Sequence, residues 1–139
     1  MKLENIFLTK ECIPKVADFG LMKSSEGKMV TMCGTPNHMA PEMLADRHKK
    51  YEGSAVDVFA CGHILFMILT RKPCFGRADD AHYESFQKDP ISYMKSRKIQ
   101  ISEGSLNLIW NMCAKDPKSR PSLSDVRNHD WFKQEMGTQ

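Results

Sequence analysis

Asn5 and Asp18 carry the chemistry that spacing alone makes plainest: an amide and a carboxylate at the two outer ends of a short apolar pair of segments. Ile6-Phe7-Leu8-Thr9 and residues 13–17 are β-prone runs joined by the polar link Lys10-Glu11-Cys12, which predicts a small β-hairpin. Pairing two antiparallel strands brings their outer ends together. Asn5, just before the first strand, and Asp18, just after the second, are therefore expected to converge, and that geometry suits a shared metal ion. The plainer alternative is that Asn5 caps a turn. Asp57 lies inside an apolar run, where a carboxylate is costly unless it is bonded. Thr31 and Thr35 offer hydroxyls near the end of a polar stretch, whereas Lys2, taken alone, is a solvated side chain close to a fraying end.

The elements that must position these groups follow from periodicity and punctuation. Residues 21–31 are polar and contain Ser24-Ser25-Glu26-Gly27-Lys28, as expected of an exposed switch loop. Arg47-His48-Lys49-Lys50 is a solvated basic face. From Ser54 onward, Val56, Val58, Phe59, Ala60, Cys61, Ile64, Leu65, Phe66, Met67, Ile68 and Leu69 leave hardly any polar stripe, which predicts a helix buried all round and too short to span a membrane. Lys72-Pro73-Cys74-Phe75-Gly76 ends it. Residues 79–88 are expected to form an exposed helix with His82 on its surface, stopping near Asp89-Pro90 because a residue before proline avoids helical angles. Ser102-Glu103-Gly104 opens a helix whose apolar set runs through Leu106, Leu108, Ile109, Trp110, Met112 and Cys113, with Trp110 in the core. A last helix is expected over residues 122–129. Trp131-Phe132 would then close the unit ahead of a polar tail, residues 133–139.

Composition narrows the function classes. The 139 residues amount to one domain, with 41% hydrophobic and 27% charged residues, so wholesale disorder is not expected. A net charge of +3 and a pI of about 8.6 are too mild to argue for nucleic acid. Five scattered cysteines lack a C-x-x-C spacing or a paired framework, which suits a reducing cytosol, with the nucleus as the other possibility. No secretory leader pattern and no run of about 18 apolar residues stands out, so no membrane role is indicated.

Three motifs then stand in order: Asp18-Phe19-Gly20, Gly34-Thr35-Pro36 and Ala40-Pro41-Glu42. One such tripeptide arises by chance about once in several thousand positions, so a single match means little and the ordered set means much. With Lys2 and Asn5 placed like the tail of H-R-D-L-x-x-x-N, the chain resembles the C-terminal part of the serine/threonine protein kinases. The resemblance covers residues 2–132. It implies an α+β, protein kinase-like fold represented by the large C-terminal lobe only, mainly helical with the small hairpin. The parts would be a catalytic-loop tail (1–5), the hairpin (6–17), an activation segment (18–42) and a helical subdomain (43–132).

The resemblance also implies roles and ligands. Asn5 and Asp18 would bind the Mg2+ ions that bridge the phosphates of ATP, and Lys2 would stabilise the transferring phosphoryl group. Thr35 would contact the catalytic aspartate and that lysine, favouring protein substrates with Ser/Thr hydroxyls. Thr31, in Val30-Thr31-Met32-Cys33-Gly34-Thr35, resembles the activating phosphosite of the cyclic-nucleotide-dependent group; a plain loop threonine is the alternative. Asp57 would anchor the backbone of the catalytic loop. Arg120, in Asp116-Pro117-Lys118-Ser119-Arg120-Pro121, would form an ion pair with Glu42.

His38 departs from the family, which commonly writes G-T-P-x-Y-x-A-P-E; a packing substitution explains it more simply than a titrating role. The proton-accepting aspartate would precede Met1, and no G-x-G-x-x-G occurs, so these residues by themselves are expected to be inactive. An apolar face of the central helix is expected to be open for missing N-lobe segments or another protein. The competing readings are a non-catalytic kinase remnant acting as an interaction module, and a helical structural protein that would leave the paired motifs unexplained.

Overall fold

The computed structural model describes residues 1–17, 38–45 and 51–136. Among them a 3-10 turn at Leu3–Asn5 leads into β1 (Ile6–Leu8) and β2 (Pro14–Val16). The helices are α1 (Pro41–Ala45), α2 (Gly53–Thr70), α3 (Ala81–Lys88), α4 (Pro90–Ser96), α5 (Glu103–Met112), α6 (Leu123–Arg127) and α7 (Asp130–Met136). The described residues are mainly helical with one two-stranded antiparallel sheet, the α+β arrangement expected from the sequence.

Helix α2 is the axis of the core. Phe59, Ala60 and Phe66 are fully enclosed, and the rings of Phe59, Phe75, Tyr83 and Phe86 pack on one another with centroids 4.9–6.2 Å apart. Arg71, in the left-handed region at φ 57°, closes the helix by donating its N–H to the Met67 carbonyl at 2.8 Å. Burial all round is not what the fold delivers: Ile68 and Leu69 are 58% and 40% exposed. Composition reports how apolar a helix is, and only the packing partners determine which of its faces are covered. The expectation that α2 is too short to span a membrane also needs correcting, since its 18 residues, with a mean hydropathy of 1.6, are long and apolar enough. Its apolarity has a use in the core of this domain.

Helix α3 is amphipathic, not exposed. His82 faces outward, while Tyr83 and Phe86 are wholly buried on the inner side. The Tyr83 hydroxyl donates to the Cys113 carbonyl at 2.9 Å, and the Gln87 amide donates to the same oxygen at 3.0 Å. Asp80 caps the helix: its carboxylate accepts from the backbone N–H of Gly76, Arg77 and Tyr83 at 2.8–3.0 Å. Burial pushes this carboxyl up, but the three N–H groups together hold it below the usual 3.8. Its stabilisation is thus present above pH 3.8 and is lost as the pH falls below that value. Asp80→Ala is expected to cost about 1–2 kcal/mol in urea unfolding at pH 7, less at pH 3. Equal costs at the two pH values would contradict the charge-assisted cap.

Asp89-Pro90 ends α3 but also begins α4, a helix absent from the sequence expectation. Asp89 accepts from the Ser92 N–H at 3.0 Å, and Pro90 occupies the first helical position, where its missing N–H costs nothing. The Tyr93 hydroxyl and the Arg97 guanidinium both donate to the Cys74 carbonyl at 2.5 Å, fastening α4 to the segment after α2. At the C-terminal side, the helix expected over residues 122–129 is α6, and a further helix that the sequence did not announce follows it. Asn128 ends α6 and α7 restarts at Asp130, so the tail expected over residues 133–139 is helical as far as Met136. Trp131 and Phe132, rings 4.8 Å apart, join Val126 against Val58, Leu108 and Met112. Trp110 is half-buried at the edge of the core and donates its indole N–H to the Gln87 carbonyl at 3.2 Å.

Candidate active site

The hairpin is built by a short turn and a tight register. Ile6 pairs with Val16, Phe7 with Lys15 and Leu8 with Pro14. Thr9 organises the turn: its hydroxyl accepts from the N–H groups of Glu11 and Ile13, and Cys12 takes the left-handed conformation at φ 61°. Beyond the strands the pairing continues, because the Ala17 N–H donates to the Asn5 carbonyl at 2.8 Å. The chain therefore returns beside Asn5 at the position directly before Asp18. Asn5 itself ends the 3-10 turn and donates its N–H to the Lys2 carbonyl at 3.1 Å, so Lys2 and Asn5 are held by one turn. Asp18, Thr31 and Thr35 lie outside the described residues.

The N-terminal residue lies against α2. The Cys61 thiol contacts the Met1 sulfur at 3.7 Å, and the Met1 ammonium is 3.9 Å from Asp57 Oδ1. The apolar run around Asp57 predicts a costly, enclosed carboxylate. It is 55% exposed instead, because it projects from the flank of α2 that the described residues leave open. Cys61 is half-buried, and burial first, then the charge of Asp57, raises its thiol above the usual range. It is thus a neutral contact and not a nucleophile at physiological pH.

Arg120 and Glu42 meet as a two-pronged pair across the domain. Nη1 reaches Oε1 at 2.7 Å and Nη2 reaches Oε2 at 2.6 Å, with the arginine side chain 1% and the glutamate side chain 14% exposed. Arg120 also donates to the carbonyls of Ala114 and Ala55 at 2.9 Å, and its guanidinium lies 5.0 Å from the Phe59 ring centre. One side chain thus ties α1, the first turn of α2 and the end of α5 together. With Met39, Ala40 and Met43 buried beside it, the Ala40-Pro41-Glu42 segment is fixed in the core.

Residues 1–132 match the family model of the protein kinase domain. The chain belongs to the protein kinase family. It is 36% identical over 138 residues to the CBL-interacting serine/threonine-protein kinase 17 of Arabidopsis thaliana, covering 96% of this chain and 31% of that protein. It therefore spans about a third of that kinase's length.

Of the site positions the kinase motifs mark, the described residues bring together Lys2 with Asn5, and Glu42 with Arg120. Asn5 is joined by backbone pairing to the residue before Asp18 and carries an amide oxygen, a donor type that hard cations accept. Two contributors were missed by sequence reasoning. Arg97 locks α4 through Cys74, and the only signal for α4 was proline after a capping aspartate. His63, wholly buried on α2, stacks on His38; a histidine amid so many apolar neighbours was the available clue.

Proposed function

We propose that these residues belong to an ATP-dependent serine/threonine kinase that transfers the γ-phosphoryl group to protein hydroxyls, and that the 139 residues alone do not perform the transfer. The observation that carries this reading is the hairpin closure between Asn5 and Ala17, which returns the chain to Asn5 immediately before Asp18. Asn5 and Asp18 would hold Mg2+, which when bound bridges the phosphates of ATP and neutralises charge developing in transfer. Lys2, fixed to the same turn as Asn5, would aim its ammonium at the transferring group, and a positioned charge is worth most where water is excluded. Thr35 would orient that lysine and the catalytic aspartate, and phosphorylation of Thr31 would order the segment between Asp18 and Glu42. A reducing cytosolic or nuclear location fits the scattered thiols.

The test uses the complete kinase with a serine-containing peptide and labelled ATP. Asp18→Ala and Lys2→Ala are each expected to lower kcat about 10²–10³-fold with the protein still folded. Unchanged turnover in both would overturn the assignment, as would steady peptide phosphorylation by the purified 139-residue chain for the claim of inactivity.

A second reading, a non-catalytic interaction module, is favoured by the exposed apolar side chains of Phe7, Leu8, Ile13, Ile68 and Leu69. In the kinase reading these surfaces are covered by the first lobe or by another chain. Full-length protein that binds its partners normally yet shows no transfer before any substitution would select the module.

A further inference from the structure

Arg97 is a partly buried cation that the proposed phosphoryl transfer does not use, and no carboxylate pairs with it among the described residues. One of its nitrogens is spent on the protein. Nη1 lies 2.5 Å from the Cys74 carbonyl, 2.6 Å from the Tyr93 hydroxyl oxygen and 3.3 Å from the Pro73 carbonyl. The guanidinium carbon is 5.4 Å from the centre of the buried Tyr93 ring. Nε and Nη2 have no partner among the described residues, so the group is held in place while the N–H donors of its outer edge stay unspent. A partly enclosed cation without a counter-charge is costly, and an anion that reaches it is bound strongly.

Arg97 lines an open groove of about 500 Å³ between α3 and α4. Lys88, in the last turn of α3, brings a second cation to the lining and has no ion pair among the described residues. The carboxylate of the lining, Asp89, is already occupied: it accepts from the Ser92 N–H at 3.0 Å, and the Ser92 hydroxyl is the first cause that holds it below the usual 3.8. Two cations against one occupied carboxylate leave the groove positive. We propose that this groove is a recognition site for a phosphorylated serine or threonine side chain carried on a peptide. The free edge of Arg97 takes two phosphate oxygens and Lys88 takes a third. A carboxylate would spend both of its oxygens on Arg97 and leave Lys88 unpaired. The serines of the lining favour a peptide over free phosphate. The Ser85 hydroxyl donates to the Ala81 carbonyl and the Ser96 hydroxyl to the Tyr93 carbonyl, both at 2.8 Å, while the Ser92 hydroxyl bonds Asp89. Their oxygens are left as acceptors, which repel a bare anion and satisfy the N–H groups of a peptide.

This site stands apart from the proposed phosphoryl transfer, so its test reads binding and needs no activity. Fluorescence anisotropy of a labelled alanine-rich pentapeptide with one phosphoserine is expected to give a Kd at least about tenfold below that of the same peptide with serine or with glutamate, and the advantage should shrink as salt rises. Inorganic phosphate should compete only at concentrations about tenfold higher than the phosphopeptide. Lys88→Gln, an exposed position, should weaken phosphopeptide binding about three- to tenfold, and Arg97→Lys, which keeps the charge without the fork, about tenfold or more, with helical circular dichroism unchanged. If Arg97→Lys does not fold, Lys88→Gln and the peptide series decide alone. Equal binding of the phosphoserine and serine peptides, or full affinity in Lys88→Gln, would overturn the site. Glutamate matching phosphoserine would overturn the phosphate assignment, and inorganic phosphate matching the phosphopeptide would overturn the peptide assignment.

Discussion

Arg120→Leu is expected to cost about 3–5 kcal/mol of stability, among the largest effects of any single substitution in this domain. The cause is less the lost attraction than what remains. Glu42 would keep a largely enclosed carboxylate with both oxygens stripped of their donors, and the carbonyls of Ala55 and Ala114 would each lose a partner. Arg120→Lys keeps a charge but has neither the fork that grips two carboxylate oxygens nor the reach to three acceptors, so it should recover only part of the loss. The double substitution Glu42→Leu/Arg120→Leu should be less damaging than the sum of the single ones, because no buried charge is left behind. Urea unfolding followed by Trp110 and Trp131 fluorescence and by helical circular dichroism provides the measurement, with coincident transitions as the check on two-state behaviour. An Arg120→Leu cost under about 1 kcal/mol would mean that the pair is dispensable.

Gly62→Ala should destabilise although alanine is the better helix former. Alanine gains about 1 kcal/mol over glycine within an open helix. At position 62 the added Cβ would stand 2.8 Å from Met112 Cβ and 2.9 Å from Cys113 Sγ, closer than atoms in real packing approach. Met112 Cβ sits at the root of its side chain, so relief requires α2 and α5 to separate, and overpacking of that kind costs about 1–3 kcal/mol. We expect a net loss of about 1–2 kcal/mol for Gly62→Ala and about 3 kcal/mol for Gly62→Val. Cys113→Ala should restore part of the loss by removing the sulfur. Its thiol has no reactivity to lose: burial pushes it up to about 12, leaving it protonated and inert. A stabilising Gly62→Ala would show that the two helices are not in close contact at this point.

The exposed side chains of Ile68 and Leu69 show that a helix that reads as wholly buried is only partly covered by the described residues. Apolar character in a sequence records burial in the complete molecule. It does not say which neighbour provides the cover, and the described residues supply only part of it. Asp57 illustrates the same point. Its expected enclosure depended on a partner surface that the described residues do not place over it.

The resemblance to the protein kinases implied the distant pairing of Glu42 with Arg120; by itself the sequence determined the ordered kinase motifs, the hairpin that follows Asn5 and the apolar axis along α2. These are set by local patterns: strand alternation, helical spacing and short motifs in which each residue type is required by its own chemistry. Only the tertiary structure decided the inward face of α3, the restart at Pro90, the added helix α7, the exposure of Asp57 and the stacking of His38 on His63. The physical reason is that each of these depends on which surfaces meet. A carboxylate at Asp80 or Asp89 announces a cap, but whether Tyr83 turns inward or Ile68 outward is settled by the volumes and hydrogen-bonding groups that segments far apart in the chain bring against them.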